Sequence, residues 1–265
     1  MKPTALIFFA SATLASAAPE WVGGLTSPSA GPHPIITPMS VDYQISWKGL
    51  VDSGKLHIDF GPKNIKKPGA FVIRSHAVSQ GLAAKLYSYH HDFWSEVLPT
   101  TLRPRYFHAV ETDPKETVTY TIRYDSKQVE SESITKNLKS GKSNTKNRTF
   151  TFSPVFDLFS AMLHVRSQKL EDGDQIAIVI HPFDTPYLLR TKVVSHEVHE
   201  GQKSIRLSVG MNKIDRDSLE LKSYKKLKDN ATLWLSDDND RIPLEFRAAV
   251  FIGDVRAVLT NKKKF

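Results

Sequence analysis

The stretch SPVFDLFSAMLHVR, residues 153–166, decides the fold, because it is the most strongly helical segment in a chain that otherwise resembles short strands. Its apolar residues recur at the spacing of one helical face: Val155, Leu158, Phe159, Met162 and Leu163. Ser153 is a favoured N-cap residue, and Pro154 is tolerated at the first helical position. We therefore predict a helix that begins at Ser153 and packs on an antiparallel sheet.

The opposite face of this helix carries a narrow stripe of polar residues that we expect to face away from the core: Asp157, Ser160, His164 and Ser167. A second, short helix is predicted over residues 80–88, with Ser79 as its cap and three apolar side chains turned inward: Leu82, Leu86 and Tyr87. The remaining segments alternate apolar and polar residues, as Leu56, Ile58 and Phe60 do, which is typical of half-buried strands. The fold class is therefore mainly β, a β-rich α+β protein with about a dozen strands and two helices.

The first 17 residues are typical of a secretory signal peptide. A basic Lys2 precedes an apolar run that is too short to span a membrane, and Ala15 to Ala17 supply a small-x-small cleavage motif. The mature protein is thus expected to be exported, to a periplasmic or extracellular location, and not to span the membrane. No Cys is present, which excludes disulfides and a thiol nucleophile.

The rest of the chain divides by composition into three parts. Residues 18–38 are rich in Pro, Gly and Ser and predict an extended, partly disordered leader, in which Trp21 is the residue expected to dock on the body. Residues 39–261 form one β-rich domain, and residues 262–265 form a basic tail. Within the domain, residues 136–148 are polar and predict a solvated, mobile hairpin loop.

The formal net charge is +8, with a sequence pI of about 9.4. In a cytosolic protein this excess would indicate nucleic acid, but an exported basic protein meets anionic lipid headgroups or lipopolysaccharide-like molecules instead. We expect no nucleic-acid partner. A basic surface without a dedicated partner is equally compatible with the composition, and the oligomeric state is left open.

Several fragments resemble catalytic or metal motifs without meeting their spacing. His196 and His199 lie three apart in a strand, whereas the metalloprotease pattern needs four on a helix. His90, His91 and Asp92 are adjacent on a strand, so at most one of these two histidines joins Asp92 in a single site. The run Asp237-Asp238-Asn239-Asp240 lacks the Gly and Glu of a calcium loop and favours a tight turn. We therefore predict no metal site, no cofactor and no catalytic residue.

The second half of the chain carries a recognisable set of motifs. On the helix there is a D-x-x-S-A…R…G pattern: Asp157, Ser160, Ala161, Arg166 and Gly173. The set continues through Glu197 and Gly201 and through a W-x-S-x-D-x-x-R-x-P hairpin: Trp234, Ser236, Asp238, Arg241 and Pro243. Together with Tyr43, Trp47 and Gly54 in the opening strands, these motifs resemble those of bacterial exported proteins of the domain-of-unknown-function 3108 family. The resemblance implies a long curved antiparallel sheet, or half-barrel, wrapped on one or two helices, and it assigns no catalytic residues.

Two functions are compatible with these observations. The first is a non-enzymatic binding role in the cell envelope, for an amphipathic ligand such as a lipid or for a partner protein, with aromatic and helix residues as ligand contacts: Tyr43, Trp47, Phe60, Phe159 and Met162. The alternative is an envelope hydrolase of glycan or lipid that uses carboxylate and His residues brought together by folding: His164, His196, Glu197 and Asp238. For Arg241 we prefer a salt bridge with an Asp of the hairpin turn over an anion clamp.

Overall fold

A computed structural model describes residues 18–33, 36–224, 230–250 and 253–265. The described part contains three short helices: α1 (Glu20–Gly23), α2 (Gly81–Leu86) and α3 (Leu158–Ser167). Fifteen strands surround them: β1 (Met39–Trp47), β2 (Val51–Phe60), β3 (Phe71–Ser79), β4 (His90–Val97), β5 (Pro104–Thr112), β6 (Glu116–Tyr124), β7 (Val129–Asn137), β8 (Ser143–Phe150), β9 (Gln175–Ile180), β10 (Tyr187–His199), β11 (Gln202–Ile214), β12 (Leu221–Ser223), β13 (Ala231–Ser236), β14 (Pro243–Val250) and β15 (Gly253–Lys264). The predicted signal peptide lies outside the described residues.

The described strands form one curved, open antiparallel sheet that wraps around α3, as predicted. Its order is β8-β7-β6-β5-β4-β3-β2-β1-β15-β14-β13-β11-β10-β9, with β12 paired to β11. Successive hairpins place β1 to β8 side by side, and β15 then pairs with β1 and joins the two halves of the chain. A parallel bridge between Phe156 and Ile180 attaches the segment before α3 to β9. Within the described residues, no helix combines the length and the apolar character that crossing a membrane requires.

Helix α3 begins four residues later than predicted, because the segment before it pairs with the sheet. The Phe156 N–H donates to the Val179 carbonyl and the Phe156 carbonyl accepts from His181, so Phe156 cannot also be helical. Asp157 is therefore the N-cap. Its side chain accepts from the Ser160 N–H, and the Ser160 hydroxyl accepts from the Asp157 N–H, which completes a capping box.

The polar stripe of α3 does not face away from the core. Its four residues are fully buried: Asp157, Ser160, His164 and Ser167. The sheet curves around the helix, so both of its faces are covered. One face packs into the apolar core with Val41, Ile73 and Phe107, and the other packs beside a second cluster around Ile178 and Ile205.

Three further local predictions are wrong. Helix α2 leaves its apolar side chains largely exposed, because it is a six-residue connection at the rim of the sheet with no layer above it; Leu86 is 78% exposed. The predicted loop at residues 136–148 is reduced to the turn at residues 138–142: the residues before it end β7, and those after it begin β8, whose polar residues are tolerated because it is the exposed edge of the sheet. The basic tail continues β15, since backbone pairing with Met39 to Val41 does not depend on the Lys side chains.

The described residues of the leader pack on the body. Trp21 in α1 does dock there: its indole N–H donates to the Leu219 carbonyl at 3.0 Å, and its ring contacts Phe152. Thr26 exchanges two hydrogen bonds with Ala177 of β9. The leader therefore covers part of the β9 edge, which would otherwise expose unpaired backbone groups.

Candidate functional site

A cavity of about 520 Å³ lies between α3 and the inner face of the curved sheet. Small-molecule sites in proteins typically occupy about 300–1,000 Å³, so this volume is large enough for a ligand. The wall on the helix side consists of one face of α3 at i, i+3, i+4 and i+7 spacing: Leu158, Ala161, Met162 and Val165. The sheet contributes inward-facing residues from both halves of the chain, including Ile45, Leu56, Ala77 and Ala257.

The wall is almost entirely apolar. Six of its residues carry polar side-chain atoms: Tyr43, Ser75, Tyr89, His91, Arg166 and Thr191. The Tyr43 hydroxyl donates to the Pro243 carbonyl at 3.0 Å, and burial raises the pKa of Tyr43 well above its usual value. In contrast, the Ser75 hydroxyl and the His91 Nε2 are buried without a hydrogen-bond partner in the described structure. Buried polar atoms are nearly always paired, so these two require an explanation.

His91 is held in place by its other ring nitrogen. Nδ1 lies 2.6 Å from the Tyr89 hydroxyl, and that hydroxyl donates to the Glu111 carboxylate at 3.2 Å. We assign the proton to Nδ1, because Tyr89 can then donate to Glu111 and accept from Nδ1, and this leaves the lone pair on Nε2. Burial lowers the pKa of His91 to about 3, so the ring is neutral near pH 7. His91 Nε2 can therefore accept a hydrogen bond from a ligand. The Ser75 hydroxyl, on the neighbouring strand, can donate or accept one.

Two arginines lock the end of α3 to the β13–β14 hairpin. The buried Arg166 guanidinium donates to the carbonyls of Asp240 at 2.6 Å and Arg241 at 2.8 Å. Arg241 in turn donates to the carbonyls of Arg166, Gln168 and Lys169, which end the helix. Burial lowers the pKa of Arg166 to about 10. The predicted salt bridge of Arg241 is therefore wrong: its guanidinium caps the helix, and the Arg241 group that donates to Asp238 is the backbone N–H.

The other hairpin residues of the family pattern also have structural contacts. The Ser236 hydroxyl donates to Asp238 at 2.7 Å and accepts from the Ile242 N–H, which fixes the turn. Trp234 lies on the outer face, where its indole N–H donates to Glu197 at 2.9 Å and its ring stacks on His199. These residues build the fold, whereas most of the cavity wall lies outside the pattern.

Three of the five predicted ligand contacts line the cavity: Tyr43, Phe159 and Met162. Phe60 is instead a core residue beneath the Arg166 guanidinium, and Trp47 is 46% exposed at the end of β1. Ser75 and His91 also line the cavity and were not among the predicted contacts. The sequence marks them only as polar residues at inward-facing positions of strands that are otherwise apolar on that face.

The four hydrolase candidates contact different neighbours. His164 is buried against Phe156, and its pKa is lowered to about 4 by burial. His196 pairs with Asp172, Glu197 with Trp234 and Asp238 with Ser236. No hydrogen bond or ion pair in the described structure joins two of these candidates.

The histidine pairs behave as strand geometry predicts. His196 and His199 have different partners, Asp172 and Glu245. Of the neighbouring residues on β4, His91 faces inward, whereas His90 and Asp92 share the outer face and contact each other. A third residue, His76 of β3, also contacts Asp92 on this face. Among the described residues, His76, His90 and Asp92 form the group whose donor atoms are close enough to hold a metal ion.

Comparisons with known proteins identify relatives by sequence and by fold. The family model described as "Protein of unknown function (DUF3108)" matches residues 42–260. No curated protein matches the chain. A solved β-barrel-like protein of the domain of unknown function DUF1849 from Brucella abortus is similar in structure, with a TM-score of 0.53 at 10% identity over 87% of this chain and 98% of that one. A putative exported protein with a YmcC-like fold from Bacteroides fragilis aligns with a TM-score of 0.31 at 8% identity, over 89% and 100% of the two chains.

Proposed function

Because this chain belongs to the family of proteins of unknown function DUF3108, which brings no activity with it, we propose a function from the geometry of the structure. The protein is exported and non-enzymatic, and it binds an amphipathic ligand of the cell envelope, a lipid, in the cavity beside α3. The observation that carries the proposal is the apolar cavity of about 520 Å³ inside the sheet.

The polar atoms of the wall indicate what kind of ligand fits. Apolar side chains of α3 and the sheet would bury a hydrocarbon chain, with a gain of roughly 0.8 kcal/mol for each CH₂ removed from water. The unpaired Ser75 hydroxyl and His91 Nε2 would hydrogen-bond a polar group on that chain. A hydroxyl, an amide N–H or a protonated acid can donate to His91 Nε2, whereas a bare carboxylate cannot.

Exposed apolar residues lie next to the cavity and suggest a route of entry. Ile45 of β1 lines the cavity, and the hairpin that follows exposes Trp47 at 46% and Leu50 at 85%. Helix α2, which follows the cavity-lining strand β3 and lies beside β2, exposes Leu82 and Leu86. Exposed apolar patches of this kind commonly contact membranes or partners, and lipid could pass from a membrane surface into the cavity here.

A binding role also agrees with the placement of the candidate catalytic groups. General acid–base catalysis requires a proton-transfer group within hydrogen-bond reach of the reacting atom, with a second group to orient or assist it. The four hydrolase candidates have separate partners, and His91 at the cavity is neutral, with one nitrogen engaged by Tyr89. We therefore assign the cavity to binding.

Native mass spectrometry of the mature protein, exported by a bacterial host, tests this function. We expect a stoichiometric adduct that denaturation releases, and solvent extraction should identify it as a lipid with a hydrogen-bond donor near its chain. A bare protein mass that persists after incubation with total envelope lipid, together with no extractable lipid, would overturn the proposal. A water-soluble adduct such as a glycan would also overturn it.

A further inference from the structure

The outer face of the sheet carries a second cluster of functional groups, away from the cavity: His76 on β3 with His90 and Asp92 on β4. The strand register produces it, because His76 lies directly opposite Asp92 in the β3–β4 pair. His90 precedes Asp92 by two residues and so points to the same side of the strand. The three side chains are 45%, 49% and 56% exposed, respectively, so solvent reaches them.

The donor atoms of these residues converge. His76 Nδ1 lies 2.7 Å from one oxygen of the Asp92 carboxylate, and His90 Nε2 lies 2.9 Å from the other. The two imidazole rings meet edge to face with centroids 4.6 Å apart. When one ligand atom is taken from each residue, the three atoms all lie within 4.8 Å of one another.

Two imidazole nitrogens and one carboxylate oxygen match a known kind of zinc site. Such sites use three protein ligands and leave a fourth tetrahedral position to water. With metal–ligand bonds of about 2.0–2.1 Å, neighbouring ligands of a tetrahedron lie about 3.3 Å apart, so small side-chain rotations would admit the ion. The paired strands hold the backbone of all three ligands in fixed register, which lowers the cost of organising the site.

We propose that His76, His90 and Asp92 bind one divalent cation of the class that prefers imidazole, with Zn²⁺ as its representative and water in the fourth position. Two nitrogens with one oxygen favour zinc or copper over magnesium or calcium, which prefer oxygen ligands alone. The cation would displace the two His–Asp hydrogen bonds and tie β3 to β4 on the outer face. This site is independent of the lipid function.

The chain offers one matched control, His196 on β10. It contacts the Asp172 carboxylate and brings a single imidazole to it. Its side chain is 40% exposed, so substitution there changes the surface to a similar degree without removing a proposed ligand. His57 is unsuitable as a control, because it lies directly opposite His76 in the β2–β3 pair.

Isothermal titration of the full mature protein with Zn²⁺, after treatment with a chelator, tests the assignment. We expect one site in the wild type, at least about tenfold weaker binding in His76→Ala and His90→Ala, and unchanged binding in His196→Ala. Tenfold is the lower end of what even an outer-shell partner contributes. Zn²⁺ should also raise the melting temperature of the wild type and of His196→Ala more than that of His90→Ala.

Two results would overturn the proposal. One is a wild type that shows no heat of binding and no thermal shift at millimolar Zn²⁺. The other is binding that falls equally in the His196→Ala control, which would assign the ion to surface histidines in general. Circular dichroism of each variant verifies that the fold is intact, and the half-exposed position of the side chains makes that outcome expected.

Discussion

Replacement of Asp157 provides the sharpest test of how α3 is held inside the sheet. The Asp157 carboxylate is fully buried, and it accepts from the Ser160 N–H at 2.7 Å and from the Ser95 hydroxyl at 2.6 Å. In Asp157→Ala both donors lose their acceptor. Loss of an N-cap costs about 1 kcal/mol, and a buried hydroxyl left unpaired costs about 1–3 kcal/mol. We therefore expect the free energy of unfolding to fall by about 3 kcal/mol.

Asp157→Asn is the matched variant. The amide oxygen can still accept from the Ser160 N–H, and the amide NH₂ can donate to the Ser95 hydroxyl in place of accepting from it. Its stability at pH 7 should therefore equal that of the wild type within about 1 kcal/mol, or exceed it, since the neutral amide does not bury a charge.

The pH dependence of these two proteins should differ in a defined direction. Burial raises the pKa of Asp157 above that of the unfolded chain. An acid whose folded pKa is raised contributes its full stability below the unfolded pKa of about 3.9 and loses it as the pH rises through the folded pKa. The wild type should thus lose stability relative to Asp157→Asn above about pH 4 and then reach a plateau.

Urea denaturation monitored by circular dichroism, at several pH values, measures these differences. In thermal denaturation, 3 kcal/mol corresponds to roughly 6–12 °C for a domain of this size. If Asp157→Ala stays within about 0.5 kcal/mol of the wild type, the usual range of a surface substitution, the buried carboxylate does not hold α3 in place. The same conclusion follows if Asp157→Asn lowers the free energy of unfolding as much as Asp157→Ala does.

Three further predictions concern other parts of the molecule. Arg241→Lys should lower the free energy of unfolding by about 3 kcal/mol or more, because an ammonium cannot donate to all three carbonyls at the end of α3. Calorimetry should show a smaller loss for Arg247→Lys, because the partner of Arg247 is a single carboxylate. Burial lowers the pKa of His164 to about 4 and that of His181 to about 3. Below about pH 6.5 the unfolded chain therefore takes up protons that the folded chain does not, and the free energy of unfolding should fall as the pH drops. His164→Leu should flatten this pH dependence in urea titrations, and an unchanged slope would contradict the assignment to His164. His91→Phe should weaken lipid binding about fivefold through the loss of one hydrogen bond while the fold persists, and a titration of delipidated protein that shows equal affinity would remove His91 from the site.

The sequence predicts the local elements of this protein better than their ends. The period of α3 is visible in its apolar residues, but its first turn is lost because Phe156 pairs with β9, a contact to a strand more than 20 residues later. Strand β8 is hidden for the opposite reason: both of its faces meet solvent, so no alternation marks it. Composition alone therefore indicated a loop where backbone pairing makes a strand.

The candidate site was predictable only in part. Tyr43, Phe159 and Met162 were recognised as inward-facing, but alternation cannot tell whether the space they face is filled or empty. That depends on how far α3 stands from the sheet, which the Arg166–Arg241 contacts help to set. The outer-face cluster was missed because His76 and Asp92 meet only through the register of two strands.

Whether lipid occupies the cavity beside α3 is tested most directly by substituting two neighbouring residues of β15 that face opposite sides of the sheet. Ala257 lines the cavity, whereas Val258 is 37% exposed on the outer face. Ala257→Trp should fill the cavity with an indole and abolish the lipid adduct in native mass spectrometry, and Val258→Trp should retain it at the wild-type stoichiometry, with both variants folded by circular dichroism. Lipid retained equally by both variants would contradict the claim that the cavity beside α3 is the binding site.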